Sequence, residues 1–159
     1  MLFRSADDTR WMDGTDQAAL VRSGDVSPRE LLEAAIERIE RIDPVLNAVT
    51  IRWFDHAREI ADGDVPSGPF RGVPFLLKDL WSHFTGQVLT NGCQALKAAW
   101  MPSTGDTTIV QRCKAAGLVI AGRTNSPEFG ALPTTEPTAW GATKNPWDTT
   151  RSQIGRAHV

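Results

Sequence analysis

The stretch Gly68-Pro69-Phe70-Arg71-Gly72-Val73-Pro74-Phe75-Leu76-Leu77-Lys78-Asp79-Leu80 decides how this chain is read. Val73, Phe75, Leu76 and Leu77 make a short, nearly unbroken apolar run that Gly72 opens. Such a run, bounded by turn residues, is the signature of a strand buried on both faces. This one ends in Lys78 and Asp79 instead of a polar turn. A lysine closing a buried strand either reaches water along its stem or loses solvation, and desolvation moves an amine toward a useful base. Taken alone, the lysine reads as a strand-end surface charge, because long charged side chains are seldom buried unpaired. The rest of the chain changes that reading.

The 159 residues suffice for one domain with a real core, though they are few for an α/β enzyme with an enclosed site. A hydrophobic content of 41% with 23% charged residues is ordinary for a globular protein. A net charge of −2 gives no electrostatic footprint for nucleic acid or an anionic membrane. No apolar run has the length of a membrane span, and Met1 to Arg10 is too polar for a signal peptide, so a cytoplasmic protein is expected. Cys93 and Cys113 are read as free thiols, and His56, His83 and His158 are scattered, so no metal site is expected.

Residues 1–14 read as an N-terminal arm, and Thr15 or Asp16 as the cap of a short helix closed by Gly24. Ser27-Pro28-Arg29-Glu30 is a strong helix start, since serine accepts from first-turn amides, proline suits the first position and glutamate reaches back. Leu32, Ala35, Ile36 and Ile39 follow on one stripe, and Asp43-Pro44 is expected to end the helix. Leu46 to Thr50 reads as a connecting turn and Trp53 to Ala61 as a second helix. Trp81 to Cys93 is loop-like, and helical tendency returns at Gln94 to Ala99. Asp106 is a candidate cap for a helix with Ile109, Val110, Cys113 and Ala116 on its apolar face, ahead of a strand over Leu118 to Ala121. Gly122 to Asn145 is turn-rich.

Four blocks in order carry a family resemblance. They are Leu20 to Pro28 with Arg38 to Pro44, Gly68 to Leu80, Asp106 to Asn125 continuing to Glu128-Phe129, and Thr135-Glu136-Pro137 through Trp140 to Asp148. Together they cover roughly residues 15–152, and the chain resembles the amidase signature family of serine amide hydrolases with a Ser–cis-Ser–Lys triad. The resemblance implies an α/β fold, a layered mixed sheet flanked by helices, with no cofactor and no metal. It implies that Lys78 is the catalytic base, taking a proton from a bridging serine that activates the nucleophilic serine. Asp79 is read as structural, bonding loop amides. Cys93 sits where relatives often carry a serine near the substrate cleft, and Thr134, Thr135 and Glu136 fall where relatives approach the active site. These four are substrate-binding candidates. Trp81 and Trp100 flank the same loop as candidate walls. Ser82-His83 is not read as a catalytic pair, because adjacent residues point apart, and Cys113 is read as core.

The resemblance also implies a Gly/Ser-rich stretch after Asn-Pro-Trp-Asp, holding the bridging serine, with the nucleophile further on. Ser152 fits the approach to it, and Gln153 to Val159 does not continue the pattern. Ile154 to Val159 is what ATC GGA AGA GCA CAC GTC encodes, a string resembling a sequencing adapter, so residues 153–159 are expected to be read-through and not gene. The expected partner is a small-molecule amide substrate, with no direct nucleic acid contact and no membrane; a homo-oligomer is left open. The lysine and Thr-Thr-Glu-Pro blocks resemble most those of broad amidases and of hydrolases of cyclic or linear aminohexanoate amides. The glutamine-hydrolysing subunit of a tRNA-dependent amidotransferase shares the motifs and would need partner subunits. The third reading is a non-catalytic binding fragment.

Overall fold

The computed structural model describes residues 7–154. It contains helices α1 (Gly14–Ser23), α2 (Pro28–Leu46), α3 (Phe54–Asp62), α4 (Gln94–Ala99) and α5 (Thr108–Ala115). Between them lie strands β1 (Val49–Arg52), β2 (Pro74–Lys78), β3 (Val119–Thr124), β4 (Lys144–Asn145) and β5 (Asp148–Ser152). Three strands form one sheet in the order β1-β3-β2, and β4 pairs antiparallel with β5. The pairing Val119 N to Val73 O, then Asp79 N to Thr124 O, runs β3 parallel to β2. Asn125 N to Ala48 O and Trp53 N to Ala121 O run it antiparallel to β1. The sheet is therefore mixed, as expected for this α/β class.

The chain divides into two compact units. The first holds the described part of Met1–Arg41 together with Arg52–Leu76 and Gln111–Gly122. Its core joins Leu32 and Ile36 of α2, Ala57 and Ala61 of α3, Val65, and Val119 and Ala121 of β3. Leu32 and Ile36 are one helical turn apart, and the alternation in β3 puts Val119 and Ala121 on one face, so both periodicities aim at the same cluster. The start of α2 forms as its sequence requires. Ser27 N donates to Glu30 Oε2 at 2.7 Å, and Glu30 N donates back to Ser27 Oγ at 3.2 Å. The cap of α1 is Asp13 rather than Thr15 or Asp16: its carboxylate accepts from Thr15 N at 2.8 Å and Asp16 N at 2.9 Å. An aspartate one step upstream meets the first free amides, and the two expected caps become the donors. Residues 13 and 14 thus belong to the helix start and not to an arm.

The second unit holds Ile42–Ile51, Leu77–Val110 and the described part of Arg123–Val159. Here α2 does not stop before Pro44 but continues to Leu46. Proline removes only its own amide from the ladder, which resumes with Asn47 N to Asp43 O at 2.8 Å. The Asp43 carboxylate then accepts from Ala48 N at 2.6 Å and Val49 N at 3.0 Å. That grip converts the expected turn into the start of β1. Asn47, at φ 53°, ties the unit by donating through Nδ2 to Trp140 O at 2.8 Å. In α5, Val110 and Cys113 are buried, but Ile109 is 55% exposed and lies off the apolar face assigned to it. No described helix is long and apolar enough to cross a membrane.

Candidate functional site

The site is built where β2 ends. Its last residue, Lys78, is exposed, and the next, Asp79, is fully buried. A buried carboxylate must be satisfied, and this one is. It accepts from Thr90 N at 2.8 Å, from Gly92 N at 3.0 Å, and from the Thr90 hydroxyl in a short contact. The loop Thr90–Cys93 is thereby wound around one side chain, and Cys93 N closes it on Thr90 O at 2.8 Å. Asp79 therefore has the structural role expected of it.

Arg123 secures the other side. Wholly buried, it donates from Nε to Val88 O at 2.8 Å, and from its two terminal nitrogens to Ser82 Oγ and Ser82 O, both at 2.7 Å. One terminal nitrogen also reaches Lys78 O at 3.2 Å, where Ser82 Oγ donates at 2.7 Å. Burial pushes the guanidinium down to about 10, with the Asp79 charge acting the opposite way. A planar fork with five donors can satisfy three separate carbonyls, which a lysine cannot. The local sequence gives Arg123 no role; its one signal is a lone cation just after the apolar run Leu118 to Ala121.

This scaffold fixes the Lys78 backbone and leaves its amine out. The Nζ makes no hydrogen bond or ion pair with any described residue. The strand is not buried on both faces as its composition suggested: Leu77 is buried, Phe75 is 38% exposed and Lys78 is exposed.

The other sequence candidates separate into two groups. Cys93 is buried on the Asp79-bound loop, just before α4. Thr134 and Thr135 are half-buried on an extended segment, with Thr135 N donating to Gln153 O at 3.0 Å and Thr143 N to Thr135 O at 2.9 Å. Glu136 is exposed. No hydrogen bond or ion pair joins Thr134, Thr135 or Glu136 to Lys78, Asp79 or Cys93. Ser82 and His83 face different partners, with His83 Nδ1 3.2 Å from Ser103 Oγ, so no Ser/His pair forms. Cys113 is buried, and burial pushes its thiol up, which suits a core residue and not a nucleophile.

Strain marks the loop as well. Asn91 adopts φ of 50°, which asparagine tolerates, while Trp81 and Phe129 adopt φ of 54° and 48°, a region bulky side chains avoid. All three are tied together: Trp81 N donates to Asn91 Oδ1 at 2.9 Å and Phe129 N to Asn91 O at 2.8 Å. Each such residue costs roughly 1–3 kcal/mol and persists only where its surroundings over-determine it. Around the same loop, Trp140 Nε1 donates to Thr90 Oγ1 at 2.9 Å, and Lys97 Nζ lies 3.8 Å from the Trp140 ring centroid.

A family model described as Amidase matches residues 30–155, and the chain belongs to the amidase signature family. A 6-aminohexanoate-cyclic-dimer hydrolase of Paenarthrobacter ureafaciens is 48% identical over 145 residues, which are 91% of this chain and 29% of that protein. Among solved structures, 6-aminohexanoate cyclic dimer hydrolase complexed with substrate superposes with a TM-score of 0.86 at 48% identity, covering 91% of this chain and 30% of that one. A bacterial aryl acylamidase of the amidase signature family superposes with a TM-score of 0.84 at 35% identity, covering 93% and 32%. The chain thus spans about three tenths of the length of the relatives it matches.

Proposed function

We propose that this chain is part of an amide hydrolase in which Lys78 is the catalytic base. The observation that carries the reading is the contrast between residues 78 and 79. The Lys78 carbonyl is clamped by Ser82 and Arg123, Asp79 is buried with three donors, and the Lys78 amine alone is presented outward. A purely structural strand end has no need of such a clamp around an unpartnered cation.

In this reading both serines come from the part of the protein that lies outside these residues. Neutral Lys78 Nζ takes the proton of the bridging serine, whose oxygen takes the proton of the nucleophile. The nucleophile's oxygen forms a bond to the amide carbon, the C–N bond breaks, and the relay returns a proton to the departing amine. Water then clears the acyl-enzyme by the same route. The relay uses Lys78 as the neutral amine, because only that form has a lone pair to accept the serine proton. Similarity to 6-aminohexanoate-cyclic-dimer hydrolase favours aliphatic amides, linear or cyclic, as the substrate class. Cys93, on the loop that Asp79 organises, is the substrate-cleft candidate this arrangement supports best.

The test is to recover the complete reading frame across the Ser152 codon, express it, and treat it with a fluorophosphonate probe. Covalent labelling together with hydrolysis of aliphatic amides is the expected result. A complete protein that neither labels nor hydrolyses any amide would overturn the reading.

A further inference from the structure

We infer that Ser82 is a positioning residue for the reaction: its hydroxyl, aimed by Arg123, fixes the Lys78–Asp79 peptide and with it the point from which the Lys78 amine reaches the bridging serine. This inference rests on the amide-hydrolase reading and adds a residue to its machinery.

One peptide unit carries the observation. The amide of Asp79 donates to Thr124 O at 2.9 Å. On the other side of the same planar unit, the Lys78 carbonyl accepts from Ser82 Oγ at 2.7 Å and from Arg123 Nη1 at 3.2 Å. The donor and both acceptor lone pairs of this peptide are therefore filled. Arg123 and Thr124 are neighbours at the end of β3, so one strand end holds the unit from both sides. Leu77 before it and Asp79 within it are buried, and only the Lys78 side chain between them is exposed.

The direction of the Ser82 hydroxyl follows from its partner. Arg123 Nη1 lies 2.7 Å from Ser82 Oγ, and a guanidinium can only donate. The serine oxygen must accept there, which leaves its single proton for the Lys78 carbonyl. A second bond, from Arg123 to Ser82 O at 2.7 Å, holds the serine main chain as well. Both residues are buried, so these charge-assisted bonds are sheltered from water and correspondingly strong.

A lysine base needs such a fixed root. Its amine hangs on a flexible four-carbon stem, and a misplacement of about 1 Å at a reacting group can cost about a hundredfold in rate. A peptide held at both polar ends removes the backbone share of that slack. Ser82 spends its proton on the Lys78 carbonyl, so it acts through the lysine and not on the substrate.

The experiment uses the complete enzyme, an aliphatic p-nitroanilide as substrate, and fluorophosphonate titration to count competent serines. Ser82→Ala should lower kcat per titrated site by about tenfold with KM within about twofold of wild type, because a positioning contact acts on the transition state. Lower stability alone would reduce the number of titrated sites and leave kcat per site unchanged. Ser82→Thr keeps the hydroxyl and should retain kcat per site within about threefold of wild type. Ser82→Cys, close to serine in size but with only a weak S–H donor, should fall between the two and stands in where the alanine variant is insoluble. A kcat per site within about twofold of wild type in Ser82→Ala, or in the cysteine variant standing in for it, would overturn the positioning role alone. Equal losses in Ser82→Ala and Ser82→Thr would overturn it too, by assigning the effect to packing. A wild-type enzyme that hydrolyses no amide would overturn the functional reading and the inference with it.

Discussion

Arg123 holds Ser82 by two hydrogen bonds of 2.7 Å, one to its hydroxyl and one to its carbonyl. Through that grip it positions the turn that follows Lys78, and it reaches the Val88 carbonyl at 2.8 Å as well. Replacing it with lysine keeps the charge but cannot serve these separated acceptors, and leaving buried carbonyls unpaired costs about 1–3 kcal/mol each. Arg123→Lys in the complete protein is expected to lose about 3 kcal/mol, read as a lower urea midpoint at unchanged slope. A loss below about 1 kcal/mol would show that the clamp is not structural.

Gly92 sits where the Asp79-bound loop passes close to the backbone after β3. A Cβ there would lie 2.5 Å from Ser126 O, at a φ of +66°. Gly92→Ala must displace the loop, with an expected cost of 2 kcal/mol or more, on the order of a strained left-handed residue plus a backbone clash. Gly105→Ala is the control, since a Cβ at that position meets nothing within 4 Å. Thermal unfolding of the two variants should separate them by several degrees; equal midpoints would refute the close approach.

The start of α2 has an acid signature. Glu30 is held below its ordinary value of 4.5, first by the Ser27 amide and then by the Ser27 hydroxyl. Because the folded value is the lower one, the unfolded chain binds more protons in that window and stability rises with pH there. The contribution is complete above about pH 4.5 and is lost as pH falls through the folded value. Ser27→Ala should therefore cost about 1 kcal/mol at pH 7 and less at pH 3. A loss independent of pH would mean that the serine acts on the helix without the carboxylate.

Legibility in the sequence followed the range of the interactions concerned. The α2 start, α3, α4 and the strand after Gly117 depend on spacing within a few residues, and all were readable. Three elements were not. β1 forms because the Asp43 carboxylate grips the amides of Ala48 and Val49, which turn propensity does not encode. The β4–β5 pair is too short for an alternating pattern to stand out. The exposure of Lys78 depends on which neighbours cover the end of β2 and not on the strand's own apolar run. Around Lys78, what the sequence made legible is a neighbourhood: Lys78 and Asp79 adjoin in one motif, and Cys93 lies on the loop that Asp79 binds. Arg123, Asn91 and Phe129 were not legible, because their meaning comes from hydrogen bonds between residues distant in sequence: Arg123 to Ser82 across 41 positions, Phe129 to Asn91, and Asn91 to Trp81 across 10. Glu128-Phe129 belongs to one of the four blocks, yet nothing local to it indicates a left-handed backbone.

The central claim is that Lys78 is the base. Its direct test is amide hydrolysis by the complete enzyme with Lys78→Ala, compared with wild type across pH and alongside far-UV and thermal checks of folding. General-base catalysis is worth about 10²–10⁴-fold, so kcat should fall by at least about a hundredfold while the fold persists. Fluorophosphonate labelling should be lost in step with activity. Undiminished hydrolysis by a folded Lys78→Ala enzyme would contradict the account.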